Sequence, residues 1–181
     1  QEFTLHYQPI ISLSTNQLVG FEALVRWKDK SLGNIGPDEF IPLAERCNLI
    51  NPLGRWVLEN TCRQWKAWKE KFSGMDKLKV SINLSPLQFH DEVFLKSIQK
   101  TLLQYDIKGS DLAFEITETA IIRETKLAAR VISDFKKMGI SVHLDDFGTG
   151  YSSLSHLAGF SIDLIKIDRS FVQKCEENLC K

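Results

Sequence analysis

Val142-His143-Leu144-Asp145-Asp146-Phe147-Gly148-Thr149-Gly150 decides how this chain is read. A β-branched and apolar run leads in, two adjacent carboxylates close it, and two glycines open the loop beyond. Successive strand side chains point to opposite faces, so Asp145 and Asp146 are expected to converge only where the strand ends. Two carboxylates ~4 Å apart repel by about 4 kcal/mol at an effective dielectric of 20, so further acids gathered there require a cation. Asp-Asp-x-Gly is also an ordinary polar strand-to-loop turn. The rest of the chain decides between the two readings.

Outward from that stretch, strand-like and helix-like segments alternate. Upstream, Glu124 to Met138 is amphipathic, with Lys136 and Lys137 in its last turn and Gly139 at the C′ position. Leu112 to Thr117 reads as a strand, preceded by a turn at Lys108-Gly109-Ser110 and a helix from about Asp91 to Tyr105. Lys79 to Leu84 is another strand, and Ser85-Pro86 caps the segment after it. Asn51-Pro52 reads as the N-cap and first turn of a long helix reaching about Lys71. Val57, Leu58, Cys62, Trp65 and Trp68 recur at helical spacing in it and are expected to be core. Earlier still, Asp38 to Cys47 reads as a helix broken at Pro42, after a loop marked by Gly33, Gly36 and Pro37. Leu5 to Leu13 and Val19 to Trp27 are extended, and Pro9 marks the first as an edge strand or a bulge. Ser141 to Asp145 is the fifth strand; downstream, Ser152 to Ala158 is a short helix ended by Gly159, and Leu164 to Asp168 is the sixth strand. This alternation predicts an α/β fold with a parallel sheet, and the near-continuous apolar strands predict cover on both faces.

Length and composition agree. The 181 residues suffice for one domain spanning 1–181. Hydrophobic residues make up 43% and charged residues 25%, which excludes disordered and fibrous classes. Lys+Arg and Asp+Glu both count 23, so no basic footprint points to a nucleic-acid polymer or an anionic membrane. Cys47, Cys62, Cys175 and Cys180 form no CxxC, and the histidines form no HExxH, so zinc is not expected and reduced thiols are. Gln1-Glu2-Phe3-Thr4 does not read as a signal peptide, and no apolar run approaches the ~18 residues of a bilayer span, so a cytoplasmic domain without membrane contact is expected. The start at Gln1 without methionine reads as part of a longer protein, with room for a sensor or anchor elsewhere.

Polar residues enter the apolar strands near their carboxyl ends: Glu22, Asn83, Glu115, Asp145 and Lys166. Most steps between them are close to the ~30 residues of a βα unit, which returns the chain to one layer of the sheet. The longer step from Glu22 to Asn83 contains the extra helix. Five such residues at equivalent depth form an oxygen-rich rim, and carboxylates with an amide suit Mg²⁺ or Mn²⁺ rather than thiophilic metals. Asp145 is placed to bridge two ions, with Asp146 completing the second. Two ions ~3.5–4 Å apart activate water and stabilise a leaving oxygen, and Lys166 offers charge to a phosphate. The residues therefore point to phosphodiester hydrolysis, without selecting a substrate.

Glu22-Ala23-Leu24-Val25-Arg26-Trp27 resembles the signature of the EAL-domain family, and Tyr7-Gln8-Pro9-Ile10 resembles its opening segment. Ser81-Ile82-Asn83-Leu84-Ser85, Glu115-Ile116-Thr117-Glu118, the Asp145-to-Leu154 block and Lys166-Ile167-Asp168 come next, in the family's order. The resemblance implies a TIM-like (β/α)8 barrel with its first strand antiparallel, and hydrolysis of cyclic di-GMP to linear pGpG with Mg²⁺ or Mn²⁺. By the same resemblance, Glu22, Asn83, Glu115 and Asp145 hold one metal, and Asp145 with Asp146 the other. It makes Lys166 the residue that orients or activates the water. It assigns Gln8, Leu24 and Arg26 to the nucleotide, and Glu118 to tethering the Asp146-to-Leu154 loop. A homodimer and a covalently linked sensor or GGDEF-type domain are the partners it implies.

A full (β/α)8 barrel takes ~250 residues, so this one is expected to be cut short after the sixth strand. The family's next strand, ending in a glutamate, and its final strand with a Gln-Gly pair are not among these residues. Open strand edges favour pairing with another chain, so a dimer is expected, with exchange of elements as one form of it. The shortfall also keeps a second reading in play: a catalytically incompetent EAL-like domain acting as a cyclic di-GMP receptor or protein-interaction module.

Overall fold

The computed structural model describes residues 2–148, 159–171 and 173. Their strands form one sheet in the order β1-β2-β4-β5-β6-β7, with β3 paired to β2 off that path. The strands are β1 (Phe3–Ile11), β2 (Leu18–Asp29), β3 (Gly33–Ile35), β4 (Lys79–Asn83), β5 (Leu112–Thr117), β6 (Ser141–Phe147) and β7 (Leu164–Ile167). The helices are α1 (Pro37–Arg46), α2 (Ile50–Lys71), α3 (Glu92–Tyr105), α4 (Glu118–Arg123) and α5 (Thr125–Lys137). β1 is antiparallel to β2, while β2, β4, β5, β6 and β7 run parallel. This is the wall of a TIM-like barrel with its first strand reversed. Pro9 fits because β1, among the described residues, pairs only with β2, and the register slips beside it between Ile10 and Ile11.

The strands alternate rather than carrying apolar side chains on both faces. In β4, Val80 and Ile82 are buried, while Lys79, Ser81 and Asn83 take the opposite face. In β5, Leu112, Phe114 and Ile116 face the helices, with Phe114 packed on Phe135 of α5 at a ring separation of 4.6 Å. Ala113, Glu115 and Thr117 face the barrel interior. Val142 and Leu144 of β6 lie under the helices, and Ser141, His143 and Asp145 point inward. The tryptophans expected in the core are there: Trp65 is fully buried, and Trp68 packs on Tyr7 and Phe21.

Four local expectations are corrected. α1 runs unbroken through Pro42, because Phe40 and Ala44 are buried on either side of it and packing outweighs one lost backbone hydrogen bond. The Gly33–Pro37 loop contains β3, whose turn accepts the positive φ of Gly33. α2 begins at Ile50 with Leu49 as N-cap rather than at Asn51-Pro52. Buried Ile50 anchors that turn, and Pro52 still falls among residues whose N–H has no helical acceptor. Finally, β6 does not stop at Asp145. It continues to Phe147 through a bulge, with one extra residue between Leu144 and Phe147 against Ile165–Ile167, and Asp146 takes a left-handed φ of 54°. The expected helix at residues 152–158 lies outside the described residues.

Strand ends and helix ends meet tightly at the opposite face of the sheet. A Cβ on Gly109 would lie 1.8 Å from the Met138 carbonyl oxygen, a backbone atom that cannot rotate away. Gly109→Ala is expected to lower stability by about 1–3 kcal/mol, read as a drop in the thermal midpoint. An unchanged midpoint would mean that the contact between β5's approach and the end of α5 is looser than described.

Candidate metal centre and ligand cleft

At the carboxyl ends of the parallel strands, Glu22, Glu115 and Asp145 each present an oxygen within 4.8 Å of the others. Each arrives for a separate local reason. Glu22 points inward from the middle of β2, Glu115 sits fully buried in β5, and Asp145 lies within the bulge of β6. Asn83, at the end of β4, donates from Nδ2 to Glu22 Oε1 at 2.8 Å. The residues are not at one register level. Asn83 and Glu115 pair directly, whereas Glu22 pairs with Ser81 and Glu115 with His143, so Asn83 and Asp145 each lie two residues beyond the level of the acid on the strand before. The tilt of strands in a barrel converts that stagger into convergence.

Lys166 of β7 sits among the acids. Its Nζ donates to Glu115 Oε2 at 2.5 Å, Asp145 Oδ2 at 3.0 Å and Glu22 Oε2 at 3.2 Å. Burial alone would lower the Lys166 pKa, but the charges of Glu115 and Glu22 outweigh it and the value is raised. Burial likewise pushes Glu115 up, yet His143 and Lys166 reverse this and hold it at about 2, from an ordinary 4.5.

This donor set fits a hard divalent cation. All the ligand atoms are oxygens, a positive charge already stands among them, and Glu115 Oε1 is buried with no hydrogen-bond partner among the described residues. Asp146 stands apart from this trio. Its backbone N–H donates to Asp145 Oδ1 at 2.9 Å, and its side chain faces the adjoining cleft. Burial, then Asp145 and Asp168, raise its pKa.

The cleft beside the acids has a volume of about 530 Å³. Leu24, Arg26, Ile41, Leu53 and Pro86 line it, together with Asn83, Glu115 and Asp146 on the side of the acids. Leu24 and Arg26 come after Glu22 at the alternating positions that share its face. Gln8 pairs with Glu22 across the β1–β2 ladder but is not part of this wall. Glu118, buried at the start of α4, accepts a hydrogen bond from the Gly148 N–H at 3.0 Å. Gly148 is the last described residue before the 149–158 segment, so the rest of the expected tether lies outside the described residues.

Sequence reading overlooks several neighbours. His143 Nδ1 lies 3.9 Å from Glu115 Oε1, and Ser81 also faces that carboxylate. Both sit two residues before an acid or amide already singled out, so strand alternation alone points to them. Ser85 Oγ lies 2.6 Å from Glu45 Oε1 in the cleft wall, a pairing across 40 residues that no local pattern signals.

The lowered pKa of Glu115 has a defined consequence for stability. A folded value below the unfolded one contributes stability that is fully present above about pH 4.5 and is lost as pH falls toward about 2. In metal-free solution, Glu115→Gln is expected to be less stable than wild type at pH 7 by about 1–3 kcal/mol. Its melting temperature should also fall less steeply across that acid window. Parallel acid limbs for the two proteins would mean that Glu115 does not set the acid sensitivity.

Comparison with known proteins agrees with the fold. The EAL domain profile matches residues 1–179. The chain is 42% identical over 172 residues to the cyclic di-GMP phosphodiesterase PdeR of Escherichia coli K12, covering 95% of this chain and 25% of PdeR. It is 36% identical over 174 residues to the bifunctional diguanylate cyclase/cyclic di-GMP phosphodiesterase MucR of Pseudomonas aeruginosa, covering 96% of this chain and 25% of MucR. The chain thus spans about a quarter of the length of these relatives. A solved PaMucR phosphodiesterase in complex with c-di-GMP matches with a TM-score of 0.90 at 36% identity, over 97% of this chain and 70% of that one. The chain belongs to the EAL domain family.

Proposed function

We propose that this chain is a metal-dependent phosphodiesterase unit that hydrolyses cyclic di-GMP to linear pGpG in bacterial second-messenger signalling. The observation that carries the reading is the convergence of Glu22, Glu115 and Asp145, with Asn83 beside them, at the mouth of a cleft that also presents Arg26. The names of PdeR and MucR support the substrate. In this reading Glu22, Asn83, Glu115 and Asp145 hold one Mg²⁺ or Mn²⁺, and Asp145 with Asp146 a second. The bound ions supply Lewis acidity and a water of lowered pKa.

The chain's own groups do the rest. Arg26 binds phosphate, Leu24 supplies an apolar wall, and Gln8 extends the contact surface along β1. Lys166 holds positive charge next to the acids, where it orients the water or meets charge building on phosphate. In the reaction one P–O bond of the cyclic diester breaks, and the oxygen of water is added to that phosphorus. Glu118 positions the start of the loop after β6. The reading also includes a homodimer and a cytoplasmic setting.

A second reading is favoured by one observation. Lys166 already pairs with all three acids as an internal cation, so the trio is held together beside the cleft without a metal. The chain would then be a cyclic di-GMP receptor.

Incubation with cyclic di-GMP and Mn²⁺ separates the two. Appearance of pGpG is expected, and Glu22→Ala or Asp145→Ala should each lower the rate by more than about 100-fold, since direct ligands matter more than their supports. Calorimetric binding without pGpG would favour the receptor, and neither binding nor product would defeat both. Wild-type rates in either variant would overturn the metal assignment.

A further inference from the structure

We propose that His143 is a positioning residue that holds the Glu115 carboxylate in the orientation the metal centre requires; this rests on the metal-site reading above. Glu115 has two buried oxygens in different situations. Oε2 is held by Lys166 at 2.5 Å, whereas Oε1 has no hydrogen-bond partner among the described residues. His143 Nδ1 stands 3.9 Å from that oxygen and is itself nearly buried. The two residues are paired in register between β5 and β6, so the backbone fixes their approach.

The terminal torsion of a glutamate is broad, and one anchored oxygen leaves the carboxylate plane free to turn. A donor on the second oxygen removes that freedom and decides where Oε2 points. A move of under about 1 Å by either side chain brings the imidazole N–H within hydrogen-bond range. Any protonation state that carries Nδ1–H performs this role, so it does not depend on the imidazole being charged. Ser81, whose hydroxyl reaches the Phe21 carbonyl at 3.5 Å, faces the same carboxylate from β4 and is the weaker candidate because it has that other acceptor. Ligand carboxylates are commonly fixed by such outer partners, and their loss weakens metal binding by about 10–100-fold.

Two variants of similar volume separate a donor from a filler. His143→Asn retains an N–H near the place of Nδ1, and His143→Leu fills the space without one. Mn²⁺ binding to each full chain is measured by calorimetry, with thermal melts establishing that each folds. His143→Leu is expected to bind Mn²⁺ about 10–100-fold more weakly than wild type. His143→Asn is expected to remain within about threefold. Equal binding by all three chains overturns the assignment, as does equal weakening in both variants, which would mark a packing role. Should His143→Leu not fold, His143→Ala takes its place; if neither folds, the residue is structural and the assignment falls. No Mn²⁺ uptake by the wild-type chain defeats the metal-site reading first, and this inference with it.

Discussion

Three carboxylate oxygens held within 4.8 Å of one another repel at on the order of 4 kcal/mol per pair in a partly solvated site, and Lys166 is what lets them stay there. Its ammonium reaches all three acids, from a strand that lies 144 residues away from Glu22 in the chain. In a flat sheet β2 and β7 would be four strand spacings apart, roughly 19 Å. A 3.2 Å contact between Glu22 and Lys166 therefore requires the sheet to curl. The ion cluster and the curvature depend on each other. The strands set the positions, and the cluster would be strongly unfavourable in any arrangement that separated Lys166 from its acids.

The inner face of the wall is built to permit this. TIM barrels are ordinarily filled by branched apolar side chains from alternate strands. Here the inward positions hold Gly20, Ser81, Ala113 and Ser141 below the acids, so the long side chains above meet without a packed plug. Apolar cohesion is moved to the outer face, where Val80, Leu112, Phe114, Ile116, Val142 and Leu144 are fully buried under the helices. The division explains how a polar centre with a buried glutamate coexists with a continuous core. Polarity and packing occupy opposite sides of the same strands.

Much of this is legible in the sequence, and the failures have physical causes. Strand and helix order comes from periodicity, and the α5 stop at Gly139 from its left-handed cap, seen as a φ of 76°. Stretches such as Val80-Ser81-Ile82 and Leu112-Ala113-Phe114 pass for two-faced apolar runs because the inward residues, Ser81 and Ala113, are small rather than charged. The misreadings at Pro42 and Asn51 share one origin: local propensity is outweighed by burial of Phe40, Ala44 and Ile50. Site residues on strand ends are accessible because chemistry and spacing coincide there. Alternation puts His143 on the face of Asp145, but its bearing on the site shows only once its cross-strand neighbour is known to be Glu115. The bulge that turns Asp146 aside is equally hidden, since it is defined by the register against β7 rather than by β6 itself.

Lys166 also bears on how a cation would be accommodated. Three carboxylates against one ammonium carry a formal charge of −2, which one divalent ion neutralises without displacing the lysine from the site altogether. The same charge count argues against a second ion bound by the trio alone, because it would leave the centre positive. Another acid would be needed, and Asp146 lines the cleft wall beside Asn83 and Glu115. Its raised pKa, caused by burial and then by Asp145 and Asp168, is the expected condition of a carboxylate held near other negative charge before a cation relieves it. The asymmetry lies in the neighbours: the trio is held together by Lys166, whereas the charges that weigh most on Asp146 are those of two acids, Asp145 and Asp168.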